Sequence, residues 1–184
     1  MPTTDELTRL SAGRWLVPLL AMASKDANAG GGLRFAEAVR RLGLARGVAR
    51  ASLDALVAGG WLARNPGHGH PLRPEYVLTG AGRAAGEWSE AVMAARAELG
   101  LAPDALTRWT LPLVAALAGG EARFGALSAA LAPVSPRALS LTLKAALAER
   151  LAARRLEASF PPVPVYALTQ RGRRLAEALG SSVR

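Results

Sequence analysis

The chain has 184 residues and no cysteine, which excludes disulfides, thiolate metal sites and cysteine nucleophiles. Its 23 Lys and Arg against 14 Asp and Glu leave a net charge of +9, and Lys25 and Lys144 are the only lysines. An Arg-rich cation favours polyanionic partners, phosphate above all, although a GC-rich genome would inflate Arg and Ala too.

Hydrophobic residues make up 51% of the chain, which excludes wholesale disorder, and the Ala, Leu, Arg and Gly bias favours helices. Residues 1–10 are polar, carry Asp5 and Glu6, and lack the basic-then-apolar order of a secretory signal. The most apolar stretch, 15–23, opens a helix near Trp15 but is too short to span a bilayer. A soluble, cytoplasmic protein with no membrane partner is expected. Residues 24–32 hold Asn28 and three consecutive glycines, a loop composition. A short helix follows at 35–42, then a turn, then a third helix at 46–59. Two strand-like runs come next, joined by a Pro- and Gly-rich tip; the second, 76–79, alternates and is β-prone. A helix starts near Gly80. Residues 87–106 are helical in pattern and close on Gly100 and Pro103. Trp88, Val92, Met93 and Leu99 make that stretch a packed linking helix rather than a tether.

From Trp109 the order begins again. Arg14-Trp15-Leu16-Val17-Pro18-Leu19 returns as Arg108-Trp109-Thr110-Leu111-Pro112-Leu113. Arg34-Phe35 returns as Arg123-Phe124, Arg64 as Arg154, and Gly82-Arg83 as Gly172-Arg173. Pro74-Glu75-Tyr76-Val77-Leu78-Thr79 returns as Pro164-Val165-Tyr166-Ala167-Leu168-Thr169. The offset is 94 at the Trp, 89 at the Phe and 90 at the Tyr, so the first copy has five extra residues between Trp and Phe, in 24–32. The predicted helices of the second copy are 124–131 and 136–150, its β-prone run is 166–169, and its last helix starts near Gln170. Five matched blocks in register predict a duplication. The expected architecture is mainly α with short β wings: a tandem winged helix-turn-helix with pseudo-two-fold character, residues 1–95 forming the first unit and 96–184 the second. The sharpest local cue is Val134-Ser135-Pro136-Arg137, where Ser135 can cap a helix whose first residue is Pro136.

Both copies resemble the HxlR-type winged helix regulators. The resemblance rests on a Trp near the first helix, Arg-Phe-x-x-Leu, Ser-Pro-x-x-Leu-Ser and Pro-x-x-Tyr-x-Leu-Thr-x-x-Gly. The second copy offers Trp109, Arg123 to Leu127, Ser135 to Ser140 and Pro164 to Gly172. The first keeps Trp15, Arg34-Phe35 and Pro74 to Gly82 but has Ala45-Arg46 in place of Ser-Pro. About 160 residues are covered in two pieces. The resemblance implies cytoplasmic, sequence-specific binding of double-stranded DNA. Such proteins usually hold one unit per chain and pair as homodimers, so the fused pair would act as a built-in pseudo-dimer, either as a monomer or as a further homodimer. Some carry a sensing cysteine ahead of the Trp; this chain has none.

In a winged helix the third helix enters the major groove. The candidate base readers are Arg46 and Arg50, with Ser52 beside them, and Ser135, Arg137, Ser140 and Lys144; Arg suits guanine bidentately. Arg34 and Arg123 are candidate phosphate contacts. Arg64, His68, His70, Arg73, Arg154 and Arg155 in the wings are candidates for backbone or minor groove. Trp15, Trp109, Phe35, Phe124, Tyr76 and Tyr166 read as core. A competing reading is a protein that binds a flat aromatic effector between Trp15, Trp61, Trp88 and Trp109, with or without DNA. A protein-interaction scaffold is a further alternative. An enzyme is disfavoured: His68 and His70 lack a third metal ligand, Gly30-Gly31-Gly32 is no phosphate fingerprint, and no nucleophile elbow is present. No cofactor is expected.

Overall fold

The computed structural model describes residues 2–65, 74–102, 105–160 and 162–180. Tertiary contacts divide the chain into a unit of Gly13–Met93 and a split unit of Met1–Ala12 with Ala94–Arg184. Among the described residues the architecture is mainly helical with two small antiparallel sheets.

The 13–93 unit is built on α2 (Leu16–Asn28), which buries Leu16, Val17 and every residue from Leu19 to Ser24. A helix apolar on nearly all sides must be a central one. Around it run β1 (Leu33–Arg34), α3 (Phe35–Leu42), α4 (Arg46–Ala58), β2 (Leu62–Asn65), β3 (Glu75–Leu78) and, as far as Met93, α5 (Gly80–Glu98). The sheet order is β1-β3-β2, with Leu33 opposite Tyr76 and Arg64 also opposite Tyr76. In α4 the buried residues are Ala49, Leu53 and Leu56, spaced as one helix face, while Arg46, Val48 and Arg50 are exposed.

The split unit repeats this order: α6 (Thr110–Ala118), β4 (Ala122–Arg123), α7 (Phe124–Ala130), α8 (Pro136–Ala148), β5 (Ala152–Glu157), β6 (Val163–Leu168) and α9 (Gln170–Ala178). Its sheet order is β4-β6-β5, and Arg154 lies opposite Tyr166 as Arg64 lies opposite Tyr76. One element has no counterpart. Residues Thr4–Leu10 form α1, packed on α6 with Leu7 and Leu10 fully buried. Each such burial stabilises by about 1.5–3 kcal/mol. The sequence held a signal for it: Thr3 and Glu6 have the capping spacing, and the Thr3 hydroxyl accepts from the Glu6 amide at 3.1 Å.

The recurring Thr-x-x-Gly has a mechanical origin. Thr79 donates to the Gly60 carbonyl at 2.6 Å and accepts from the Gly82 amide at 3.0 Å, joining the turn between α4 and β2 to the helix after it. Thr169 accepts from the Gly172 amide at 3.2 Å and donates to the Arg150 carbonyl. A Cβ on Gly82 would collide with the carbonyl of Trp61, and one on Gly172 with that of Leu151. Only glycine lets the helix approach so closely.

Two expectations shift in detail. Each predicted two-stranded wing is part of a three-stranded sheet, because the residues before Phe35 and Phe124 pair with β3 and β6. The helix expected near Gly80 and the linking helix expected from residue 87 are one continuous α5.

Candidate nucleic-acid interface

The third helix of each unit starts differently. Ser135 caps α8: its hydroxyl accepts from the Ala138 amide at 3.2 Å, with Pro136 at the first turn. Ala45 precedes α4 with no side-chain cap. The α8 face opposite buried Leu139, Thr142, Leu143 and Ala146 carries Arg137, Ser140 and Lys144, all exposed, with Leu141 between them at 58% exposure. Neither third helix has an acidic residue in its first turn, so each amino end is left positive.

The cations around these helices fall into three groups. Some are stacked. The guanidiniums of Arg46 and Arg50 lie 5.5 and 4.7 Å from the centre of the Phe35 ring. Phe35, expected to be structural, thus positions both candidate readers of α4 by a cation–π contact. Others are paired with carboxylates. Arg34 bonds Glu75 at 2.9 Å, and Arg123 bonds Glu157 at 2.6 Å. Arg155 binds Glu121, with Nε at 3.1 Å, and Arg64 binds Asp54. The Arg155 hydrogen bond holds the Glu121 carboxyl below its ordinary range, and the Asp54 hydrogen bond raises Arg64. Apart from the half-buried Glu75, the members of these pairs lie open to solvent, where ion pairs hold side chains in place more than they stabilise a fold. The third group, Arg137, Lys144 and Arg154, has neither an acidic partner nor an aromatic one among the described residues.

Corresponding places in the two units therefore differ in charge. On α4, Asp54 reaches across to Arg64 of β2. The same place on α8 is Lys144, and the strand position matching Arg64 is Arg154. The 13–93 unit neutralises itself there and the split unit carries two positive charges. Nothing in residue order announces the Asp54 pairing; Asp54 was not singled out from the sequence.

Other arginines serve the fold. Arg171 donates to the carbonyls of Leu99 at 2.8 Å and Glu149 at 3.3 Å, and Arg174 pairs with Glu98 at 2.8 Å. Arg14 and Arg108 lie over the rings of Trp15 and Trp109, which sit at the helix N-caps. Trp61 and Trp88 are 5% and 8% exposed. A polar cleft in the 13–93 unit includes no tryptophan in its lining. The candidates Arg73, His68 and His70 lie outside the described residues. Among the described residues there is no cluster of three metal-ligating side chains and no helix long and apolar enough to cross a membrane.

Residues 106–182 match the family model described as HxlR-like helix-turn-helix. A solved structure described as a transcriptional regulator of the MarR family from Enterococcus faecalis V583 is similar at 28% identity. That similarity covers 50% of this chain and 77% of the other, with a TM-score of 0.40. No curated protein matches. The matched segment takes in α6 to α9, including capped α8 and its free cations, and the match supports a DNA-binding transcriptional regulator.

Proposed function

We propose that this protein is a sequence-specific, double-stranded DNA-binding transcriptional regulator whose principal reading element is α8. The observation that carries this reading is the cation set Arg137, Lys144 and Arg154. These residues are exposed, unneutralised and grouped on the third helix and wing of the segment that matches the HxlR-like model. In a winged helix such a helix lies in the major groove and the wing follows the backbone. Arg137 and Ser140 read base edges, Ser135 sets the helix angle, and Lys144 and Arg154 meet phosphates.

The duplicated order of elements supports a finer reading, an intramolecular pseudo-dimer. Here α4 enters a second major groove about one helical turn away through Arg46 and Arg50. Its grip is weaker, because Arg64 must leave Asp54 before it can meet phosphate, whereas Arg154 has no carboxylate partner among the described residues.

The test is fluorescence anisotropy with a duplex chosen from random sequence. The expected result is a specific complex whose affinity falls steeply with salt through counterion release. Lys144→Asp weakens it by about tenfold or more at moderate salt without moving the melting temperature. A salt-independent complex, or full affinity in Lys144→Asp with Arg137→Ala, rejects the reading.

A further inference from the structure

A cleft of about 380 Å³ opens in the 13–93 unit between the end of α2, the glycine loop, the base of β3 and the first turn of α5. That volume is in the range of small-molecule sites. Its origin is visible in the chain: the five residues that 24–32 has and the second copy lacks. They lengthen α2 to 13 residues against 9 in α6 and bring the chain back through Gly30, Gly31 and Gly32. The return is tight at one point. A Cβ on Gly32 would stand 2.9 Å from the Glu75 Cβ and 3.2 Å from the Tyr76 carbonyl oxygen.

The lining has two characters. Ala23, Ala27 and Val77 make an apolar floor, and Asn65, Glu75 and Arg83 supply polar groups. The charge of Glu75 is matched by Arg34, which bonds it through Nε at 3.0 Å and through its terminal nitrogen at 2.9 Å. Arg83 is exposed, lies in the first turn of α5, and has no carboxylate partner among the described residues. Of the lining side chains Glu75 and Arg83 carry opposite charges; with Glu75 answered by Arg34 from outside the lining, Arg83 is the charge left without a carboxylate among the described residues. The last carbonyls of α2 do not oppose an anion strongly, because the amides of Ala29, Gly30 and Gly31 already donate to those of Lys25, Asp26 and Ala27.

We propose that this cleft binds a small organic monocarboxylate, its carboxylate on the Arg83 guanidinium and its apolar body across Ala23, Ala27 and Val77. A guanidinium fork matches a carboxylate in shape and charge. Binding also has a route to the helices above. Glu75 lines the cleft and holds Arg34, the N-cap residue of α3, so occupancy alters how firmly that arginine is kept. This regulatory consequence rests on the DNA-binding reading; the binding itself does not.

The experiment is calorimetric titration of the full chain, without DNA, with acetate, hexanoate and 3-phenylpropionate, and with hexanamide and 3-phenylpropanamide as uncharged counterparts. One carboxylate is expected to saturate a single site, with its amide weaker by about tenfold or more. Arg83→Gln should weaken that carboxylate by a similar factor while leaving the melting temperature unchanged, and Ala27→Phe, which fills the floor, should abolish binding. Absence of saturation by all three carboxylates at millimolar concentration overturns the proposal. Equal affinity for acid and amide overturns it as well, as does full affinity in Arg83→Gln. A separate anisotropy measurement of DNA binding on the same preparation tells failure of this site from failure of the regulator reading.

Discussion

Asp54 and Lys144 stand at matching places in α4 and α8, 90 residues apart, with opposite charges. The consequence belongs to single side chains. Asp54 occupies Arg64, so in the 13–93 unit a carboxylate sits where the split unit offers an ammonium group. A duplex approaching α4 meets a carboxylate it repels and an arginine already bound. Asp54→Lys reverses both at once: Arg64 is released and a cation is added. The expected outcome is tighter binding and a salt dependence steeper by about one to two in log–log slope, one increment per added phosphate contact. Anisotropy titrations over a range of salt read this directly. An unchanged slope in Asp54→Lys would mean that α4 never nears the duplex. Such a pairing is not legible in residue order. Asp54 and Arg64 are ten positions apart on different elements, and only the packing of α4 against β2 brings them together. The arginine candidates drawn from the sequence were chosen by type and position. Type cannot tell Arg154, which has no partner among the described residues, from its neighbour Arg155, which is bound to Glu121.

At the scale of elements, far more was readable, for identifiable reasons. The Ser135-Pro136 start of α8 was legible because a cap is a local interaction between residues three apart. Thr79 and Gly82 were legible as a repeated pattern, but their reason, the Trp61 carbonyl just ahead of β2 pressed against the helix, is a contact between residues far apart in the chain. The first helix was missed because its polar residues masked the Leu7 and Leu10 spacing, and its worth comes from α6, about a hundred residues away. The missing cap on α4 gives the sharpest test at this level. Ser135→Ala should cost about 1 kcal/mol of stability and loosen the first turn of α8. Ala45→Ser should stabilise by about 0.5–1 kcal/mol, because Ala45 already has the extended backbone of a cap residue, φ −61° and ψ 139°, and lacks only the hydroxyl. Denaturant unfolding of the two variants decides it. If both changes are silent, the difference between the two helix starts is incidental to the fold. If Ser135→Ala also weakens DNA binding beyond its effect on stability, the cap orients the reading helix as well as holding it.

For the whole molecule the unlike helices have a consequence that neither unit carries alone. A homodimeric regulator presents one helix twice, and its preferred site is a palindrome. Here one chain presents two different surfaces. The exposed positions of α4 carry Arg46, Val48 and Arg50, stacked or apolar, with Asp54 a turn further on. Those of α8 carry Arg137, Ser140, Leu141 and Lys144. If both engage one duplex, the selected site should consist of two dissimilar half-sites about one helical turn apart. The half-site read by α8 should dominate the energy, since that helix has no internal carboxylate to displace. Selection from random DNA followed by base substitution in each half separates the contributions. A mismatch under α8 is expected to cost about 1–3 kcal/mol, and one under α4 distinctly less. A symmetrical site bound by one chain would defeat this account, because no single chain with these two helices can prefer identical halves. A symmetrical site bound by two chains, which sedimentation would reveal, would instead leave α8 as the reading helix of each and remove α4 from the duplex. The Asp54→Lys salt slope then distinguishes the two arrangements independently, since it should move only in the first.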